Sequence, residues 1–178
     1  MKKSEIRKKI IKLRKKNFSK NLKINFQSII KVLRKNKSKK NIIGGYYSYN
    51  YEVNIIPILE KFEKSDYIIS LPRVSKNSKM DFFIWSTNDP LNINKYGIPE
   101  PFTNEIIYPD VLLVPLVAYD KNCNRVWYGG GFYDRYIMRI KKIKKVLTIG
   151  LAFSYQEIKK IPIGKNDIKL DFIITEKN

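Results

Sequence analysis

The feature that most constrains the fold is the unbroken apolar stretch at residues 111–119, VLLVPLVAY, followed ten residues later by Gly129, Gly130 and Gly131. A strand that is apolar on both faces has no solvent side, which is the pattern of a parallel sheet covered by helices. Residues 146–153 repeat the pattern, and amphipathic stretches lie between such runs. Ile6, Ile10 and Leu13 predict a helix over residues 3–16, and Leu22, Phe26, Ile29 or Ile30, and Leu33 predict a second. Residues 35–41 read as a polar turn and 42–48 as a strand passing through Gly44 and Gly45. Residues 53–64 read as a helix that can hold Pro57 only in its first turn.

Residues 67–71 read as a strand closed by Pro72, and 80–85 as another. Residues 86–109 contain Pro90, Gly97, Pro99, Pro101 and Pro109, and are expected to be mostly loop with short strands. A helix over 132–144, a short helix over 154–160 and a last strand over 168–174 complete the pattern. Strands alternating with helices predict an α/β fold with its sheet covered on both sides. A length of 178 residues suits one domain, with the basic first 40 residues as a helical pair packed on the α/β body.

Composition removes whole classes of chemistry. The chain has no histidine, so it can hold no Ser-His-Asp triad, no His-ligated zinc and no imidazole base. Its single cysteine, Cys123, allows neither an internal disulfide nor a cysteine-rich metal site. No apolar run approaches the roughly 18 residues of a membrane span, and the charged start lacks a signal-peptide pattern, so a cytoplasmic protein is expected. The formal net charge of +20 attracts anions, whether nucleic acid, phosphorylated cofactors or polycarboxylates. It also follows from a lysine-rich composition alone.

The most informative segment is 120–136, DKNCNRVWYGGGFYDRY. Three glycines let the backbone approach a ligand closely, and the following helix offers unpaired N–H groups and the positive end of its dipole. Arg125 adds a fixed positive charge. Asp134 is discordant beside an anion site unless a cation bridges the two, and magnesium joins carboxylates to phosphates in this way. The loop therefore reads either as a Mg-nucleotide site or as a flexible turn in which Asp134 only stabilises the first helical turn. It matches neither the Walker A pattern nor G-x-G-x-x-G.

In its residues, VPLVAYDKNCNRVWYGGGFYDRYI resembles the signature of the 5-formyltetrahydrofolate cyclo-ligase family, the 5,10-methenyltetrahydrofolate synthetases. Lys3 and Arg7, Tyr47 and Glu52, Leu71-Pro72-Arg73-Val74, Gly97-Ile98-Pro99-Glu100-Pro101, and Asp167 with Asp171 follow the family's order. The resemblance implies a three-layer α/β/α fold with a mostly parallel central sheet, Rossmann-like but without G-x-G-x-x-G. It implies an ATP-dependent ring closure of 5-formyltetrahydrofolate to 5,10-methenyltetrahydrofolate. The γ-phosphoryl goes to the formyl oxygen, and the second folate nitrogen then displaces phosphate. Such a reaction needs positioned charges and no histidine.

By the same resemblance, ATP is held by Lys3, Arg7, Arg125, Val126, Trp127, Tyr128, Gly129, Gly130, Gly131, Phe132 and Tyr133. Magnesium falls to Asp134 and Asp167, and the folate to Tyr47, Glu52 and the Tyr128-to-Phe132 segment. Arg125, Tyr133 and Asp134 carry the catalytic roles. Taken alone, Lys3 and Arg7 read as a solvated basic face, and Glu52 as a carboxylate at a helix start. Trp127 stands where relatives have a smaller apolar residue, Phe132 where tyrosine is frequent, and Asn54 and Ile55 also depart from the pattern. The implied partner is a folate, possibly polyglutamylated, with no specific nucleic acid and no membrane, and the expected state is a monomer. Two other readings compete: a basic nucleic-acid-binding protein whose aromatics stack bases, and an inactive folate-binding relative.

Overall fold

A computed structural model describes residues 1–19, 22–36, 41–75 and 79–177. The chain begins with α1 (Lys3–Asn17) and α2 (Phe26–Lys35), then β1 (Ile42–Gly44), α3 (Ile56–Glu63), β2 (Ile68–Val74) and β3 (Met80–Ile84). Three short strands follow, β4 (Leu91–Ile93), β5 (Pro99–Pro101) and β6 (Ile106–Ile107). Next come β7 (Val111–Pro115), β8 (Ala118–Tyr119), β9 (Arg125–Val126), α4 (Phe132–Ile140), β10 (Leu147–Leu151) and β11 (Phe172–Ile174).

Seven strands form one sheet in the order β11-β10-β7-β1-β2-β3-β6. The first five run parallel, while β3 pairs antiparallel with β2 and with β6. The sheet is therefore mostly parallel. Strand β7 shows why its sequence is apolar throughout. Val111 and Leu113 face a core closed by α2 and α3, whereas Leu112 and Val114 face a core closed by α4. Helices thus cover both faces, in the three layers expected of the fold. A third core lies where α1 sets Ile6 and Ile10 on Val117, Ala118, Val126 and Ile161, over the β8–β9 ribbon. The two N-terminal helices thus serve different cores.

Several elements differ from their sequence pattern, each for a local reason. The 111–119 run is two strands, because the carbonyls of Leu116 and Val117 are taken by the Gln156 side chain at 3.0 and 2.8 Å and leave the sheet ladder. Pro72 does not close β2. Odd-numbered residues of β2 bond to β3, so Pro72 turns its donor-less nitrogen toward β1, which has already ended at Gly44. The first strand stops at Gly44, α3 starts at Ile56 with Pro57 in its first turn, and α4 ends at Ile140. The helix expected at 154–160 is one 3-10 turn (Ser154–Gln156), and the last strand is only Phe172–Ile174. The polar turn expected at 35–41 lies largely outside the described residues.

Candidate active site

The carboxyl ends of β1 and β7, the glycine loop and the β4–β5 hairpin enclose a cavity of about 550 Å³. Its walls are mostly aromatic and apolar, including Tyr46, Tyr47, Trp127, Tyr128, Phe132 and Tyr133, with Glu52 and Glu100 as its carboxylates. Such a slot suits a flat ligand with few polar contacts. Glu52 is buried, and its Oε2 accepts the Tyr49 N–H at 2.8 Å. The turn between them carries Asn50 and Tyr51 in the left-handed region, at φ 50° and 62°. Burial pushes the Glu52 carboxyl up to about 7, against the opposing pull of the Tyr49 N–H and Arg14.

Two further polar atoms in the wall are buried and lack a hydrogen-bond partner: the Tyr133 hydroxyl and the Trp127 indole nitrogen. Burial, with Glu52 next, pushes the Tyr133 hydroxyl well above its usual range, so it remains a donor. Buried donors without partners are costly in a native fold and point toward a ligand that satisfies them.

Beyond the glycine loop lies a cationic corner. Arg7 donates from Nε to the Trp127 carbonyl at 2.6 Å, and its guanidinium faces Gly129, where a Cβ would stand 3.5 Å from Nη2. Gly129 and Gly131 sit at φ 107° and 64°, a backbone that L side chains adopt only with strain. Gly131 caps α4, so the first turn of that helix opens toward the loop. Arg125 is buried and donates to Asp134 Oδ1 at 2.8 Å and to the Ile168 carbonyl at 2.5 Å, and its Nε has no partner. Burial pulls the Arg125 guanidinium below its ordinary value, and Asp134 and Asp167 oppose this.

Lys3 pairs with Asp167, whose Oδ2 also accepts the Gly164 N–H at 2.5 Å. Burial would raise the Asp167 carboxyl, but Lys3, the Gly164 N–H and Arg125 outweigh it and hold the carboxyl below its usual range. Asp134 Oδ1 also takes the Ile168 N–H at 3.2 Å. Each aspartate thus uses one oxygen for a cation and a backbone N–H, with its other oxygen outside these bonds. Among the described residues, no group of three or more Cys, Asp or Glu gathers that could hold a metal ion unaided. A divalent cation would fit here only with phosphate oxygens completing its shell, which is how magnesium is usually bound.

The residues expected from the sequence fall into these two places. Tyr47, Glu52, Trp127, Tyr128, Gly130, Phe132 and Tyr133 line the cavity. Lys3, Arg7, Gly129, Arg125, Asp134 and Asp167 build the corner. Val126 does neither with its side chain, which lies in the core under α1, while its carbonyl accepts the Val117 N–H at 2.8 Å. It is part of the floor. Three functional candidates escaped the sequence reading. Glu100 lines the cavity and fixes its rim by accepting from the Val74 N–H at 3.0 Å and Asn94 at 2.7 Å. Tyr96 lines the same rim. Arg14 is fully buried, and its signal was available: it continues the Ile6, Ile10 stripe by one further step of four residues.

Fold and site together define an α/β protein that sets a cationic corner against a largely aromatic cavity. The sequence matches the model of the 5-formyltetrahydrofolate cyclo-ligase family over residues 1–176. The 5-formyltetrahydrofolate cyclo-ligase of Haemophilus influenzae is 30% identical over 75% of this chain and 74% of its own. That of Escherichia coli K12 is 29% identical over 75% and 76%. The solution structure of Aquifex aeolicus 5,10-methenyltetrahydrofolate synthetase superimposes with a TM-score of 0.77 at 28% identity, covering all of this chain and 91% of the other. The structure of the Mycoplasma pneumoniae 5,10-methenyltetrahydrofolate synthetase shares the fold with a TM-score of 0.73 at 24% identity, covering 99% of each chain.

The chain belongs to the 5-formyltetrahydrofolate cyclo-ligase family. It is an enzyme of that activity, which the competing nucleic-acid-binding and inactive readings do not fit. Among the described residues, no helix is long and apolar enough to cross a membrane.

Proposed function

We propose that the chain closes the ring of 5-formyltetrahydrofolate by phosphorylating its formyl oxygen with ATP, in an active site where the glycine loop is the shared wall. The observation that carries this reading is the two-sided use of that loop. Gly130 and Phe132 face the cavity, whereas Gly129 faces Arg7. Trp127 turns its ring to the cavity and its carbonyl to Arg7. A phosphoryl donor in the corner and a flat acceptor in the slot would meet across two or three residues of backbone.

Members of this family take ATP as a substrate. Lys3, Arg7 and the loop N–H groups would bind its phosphates, with Arg125 fixing the loop's base. Asp134 and Asp167 would hold magnesium, which when bound neutralises phosphate charge and orients the γ-phosphoryl. Ionised Glu52 would accept from adjacent N–H donors on the pterin edge. The Tyr133 hydroxyl, buried in the cavity wall without a partner, would hydrogen-bond the formyl oxygen and support its departure with phosphate. The protein supplies position and charge, and the nucleophile is the substrate's own nitrogen.

Because the corner draws on Lys3 and on Asp167, nearly the whole chain is needed, and we read it as one catalytic domain acting as a monomer. A single thiol and no membrane helix among the described residues agree with a cytoplasmic enzyme. The test is turnover of 5-formyltetrahydrofolate, followed by the near-ultraviolet absorbance of the methenyl product. Product formation should require ATP and magnesium and should fall by about 100-fold or more in Asp134→Asn. Undiminished turnover in that variant, or without magnesium, refutes the assigned metal site.

A further inference from the structure

Among the described residues, Arg14 is the largest fully buried side chain, and no carboxylate among them pairs with it. Its partners are neutral, four carbonyls and one hydroxyl. Nε donates to Tyr51 at 3.2 Å and Nη1 reaches Leu116 at 3.5 Å. Nη2 donates to Tyr49 at 3.1 Å, to Asn50, and to the Tyr128 hydroxyl at 2.9 Å. A buried guanidinium held by neutral groups is unusual, since a buried charge is ordinarily paired. Here it binds three successive carbonyls of a turn whose middle residues, Asn50 and Tyr51, hold left-handed backbone. Such a turn persists only where its surroundings over-determine it.

The turn ends at Glu52, and Tyr128 lines the same cavity beside it, its ring 5.9 Å from that of Tyr49. Arg14 therefore ties both to α1. That helix also carries Lys3 and Arg7, eleven and seven residues earlier, a separation of about 16 Å from Lys3 along the axis. One rigid rod sets the spacing between the anion corner and the carboxylate end of the slot.

We infer that Arg14 is a positioning residue for the folate: it clamps the Tyr49-to-Glu52 turn and the Tyr128 hydroxyl as one wall and so fixes Glu52 for substrate. The inference rests on the reading of Glu52 as the folate carboxylate. Groups facing Glu52 are Arg14 from α1, Tyr46 beyond β1, Tyr128 in the glycine loop and Tyr133 on α4. Arg14 is the cation among them, and it lowers the carboxyl that burial raises.

The test is steady-state kinetics of the full chain with both substrates across pH 6–9, in Arg14→Lys, Arg14→Met, Tyr51→Gly and Glu52→Gln. Arg14→Lys keeps the charge but loses the fork, and should raise KM for 5-formyltetrahydrofolate about tenfold while KM for ATP stays within about twofold. Folate KM should rise as pH falls through the Glu52 ionisation, and in Arg14→Met that limb should move to higher pH. A residue that merely holds the fold together would move both substrates' constants and leave the limb in place. Tyr51→Gly loosens the same turn and leaves the Arg14 side chain intact, giving up only the ring contact with Phe18 at the end of α1, and should give a smaller rise in folate KM alone. Unchanged folate KM in Arg14→Lys and Tyr51→Gly overturns the inference. Unchanged folate KM in Glu52→Gln overturns instead the assignment of Glu52 to folate.

Discussion

Glu52 should make the enzyme less stable than it could be, and the size of the effect follows from its surroundings. The carboxyl is buried against aromatic walls and ionises at about 7 in the fold, against an ordinary 4.5. One tenfold step in ionisation is worth about 1.4 kcal/mol, so holding the charged form inside the fold costs about 3 kcal/mol relative to the unfolded chain. Because the folded value is the higher one, the folded state holds the proton more tightly. The penalty is absent below pH 4.5, grows as pH rises toward 7, and is constant above that.

Glu52→Gln removes the charge and keeps an oxygen for the Tyr49 N–H. The variant should match the parent near pH 4.5 and exceed its stability by about 3 kcal/mol at pH 8, an increase of about 6–12 °C in Tm for a chain of this size. Urea melts of both proteins at several pH values between 4.5 and 8 would measure the difference. It should come with loss of folate binding, as is common where a strained group serves function. A stability difference that does not change with pH would refute the reasoning, since it would mean that Glu52 is not desolvated.

Three other outcomes follow from the same geometry. Lys3→Ala should raise KM for ATP about tenfold yet alter stability by less than about 1 kcal/mol, because the Lys3–Asp167 pair is roughly 30% exposed and solvent screens it; parallel kinetics and denaturation check the split. Gly131→Ala should destabilise the fold by about 1–2 kcal/mol, since its φ of 64° belongs to the left-handed region, and should also lower turnover by displacing the start of α4. If the positive surface steers an anionic folate tail past Lys95 at the cavity rim, polyglutamylated substrate should show a lower KM than the monoglutamate at low salt, and the ratio should shrink as salt rises. A ratio independent of ionic strength excludes steering.

Much of the fold is legible in the sequence because burial on two faces leaves a direct trace. Strands β7 and β10 are read from continuous apolar runs, and α1 and α2 from their stripes. What is not legible is where a strand ends. That depends on which distant side chain claims its carbonyls, as Gln156 does at Leu116 and Val117. The cationic corner is legible because the glycines, Arg125 and Asp134 fall within one short segment of the sequence. The opposite end of the slot is harder to read. Glu100 and Tyr96 lie on a hairpin whose prolines look like loop punctuation, and the sheet brings it across the cavity only in three dimensions.

Net charge was the least informative quantity, and the site explains why. Of the 36 basic residues, the ones proposed for the site have positions fixed by partners: Lys3 by Asp167, Arg125 by Asp134 and Ile168, Arg7 by the Trp127 carbonyl, and Arg14 by the carbonyls around it. A solvated lysine is screened over roughly 8–10 Å and changes its rotamer freely, so it contributes to a diffuse field and to little else. An immobilised guanidinium acts at hydrogen-bond range with its ordering cost already met by folding. The helical stripe that buries Ile6 and Ile10 is also what aims Arg14 inward, so its clamp on the Tyr49-to-Glu52 turn comes from the same periodicity that packs α1 onto the β8–β9 ribbon.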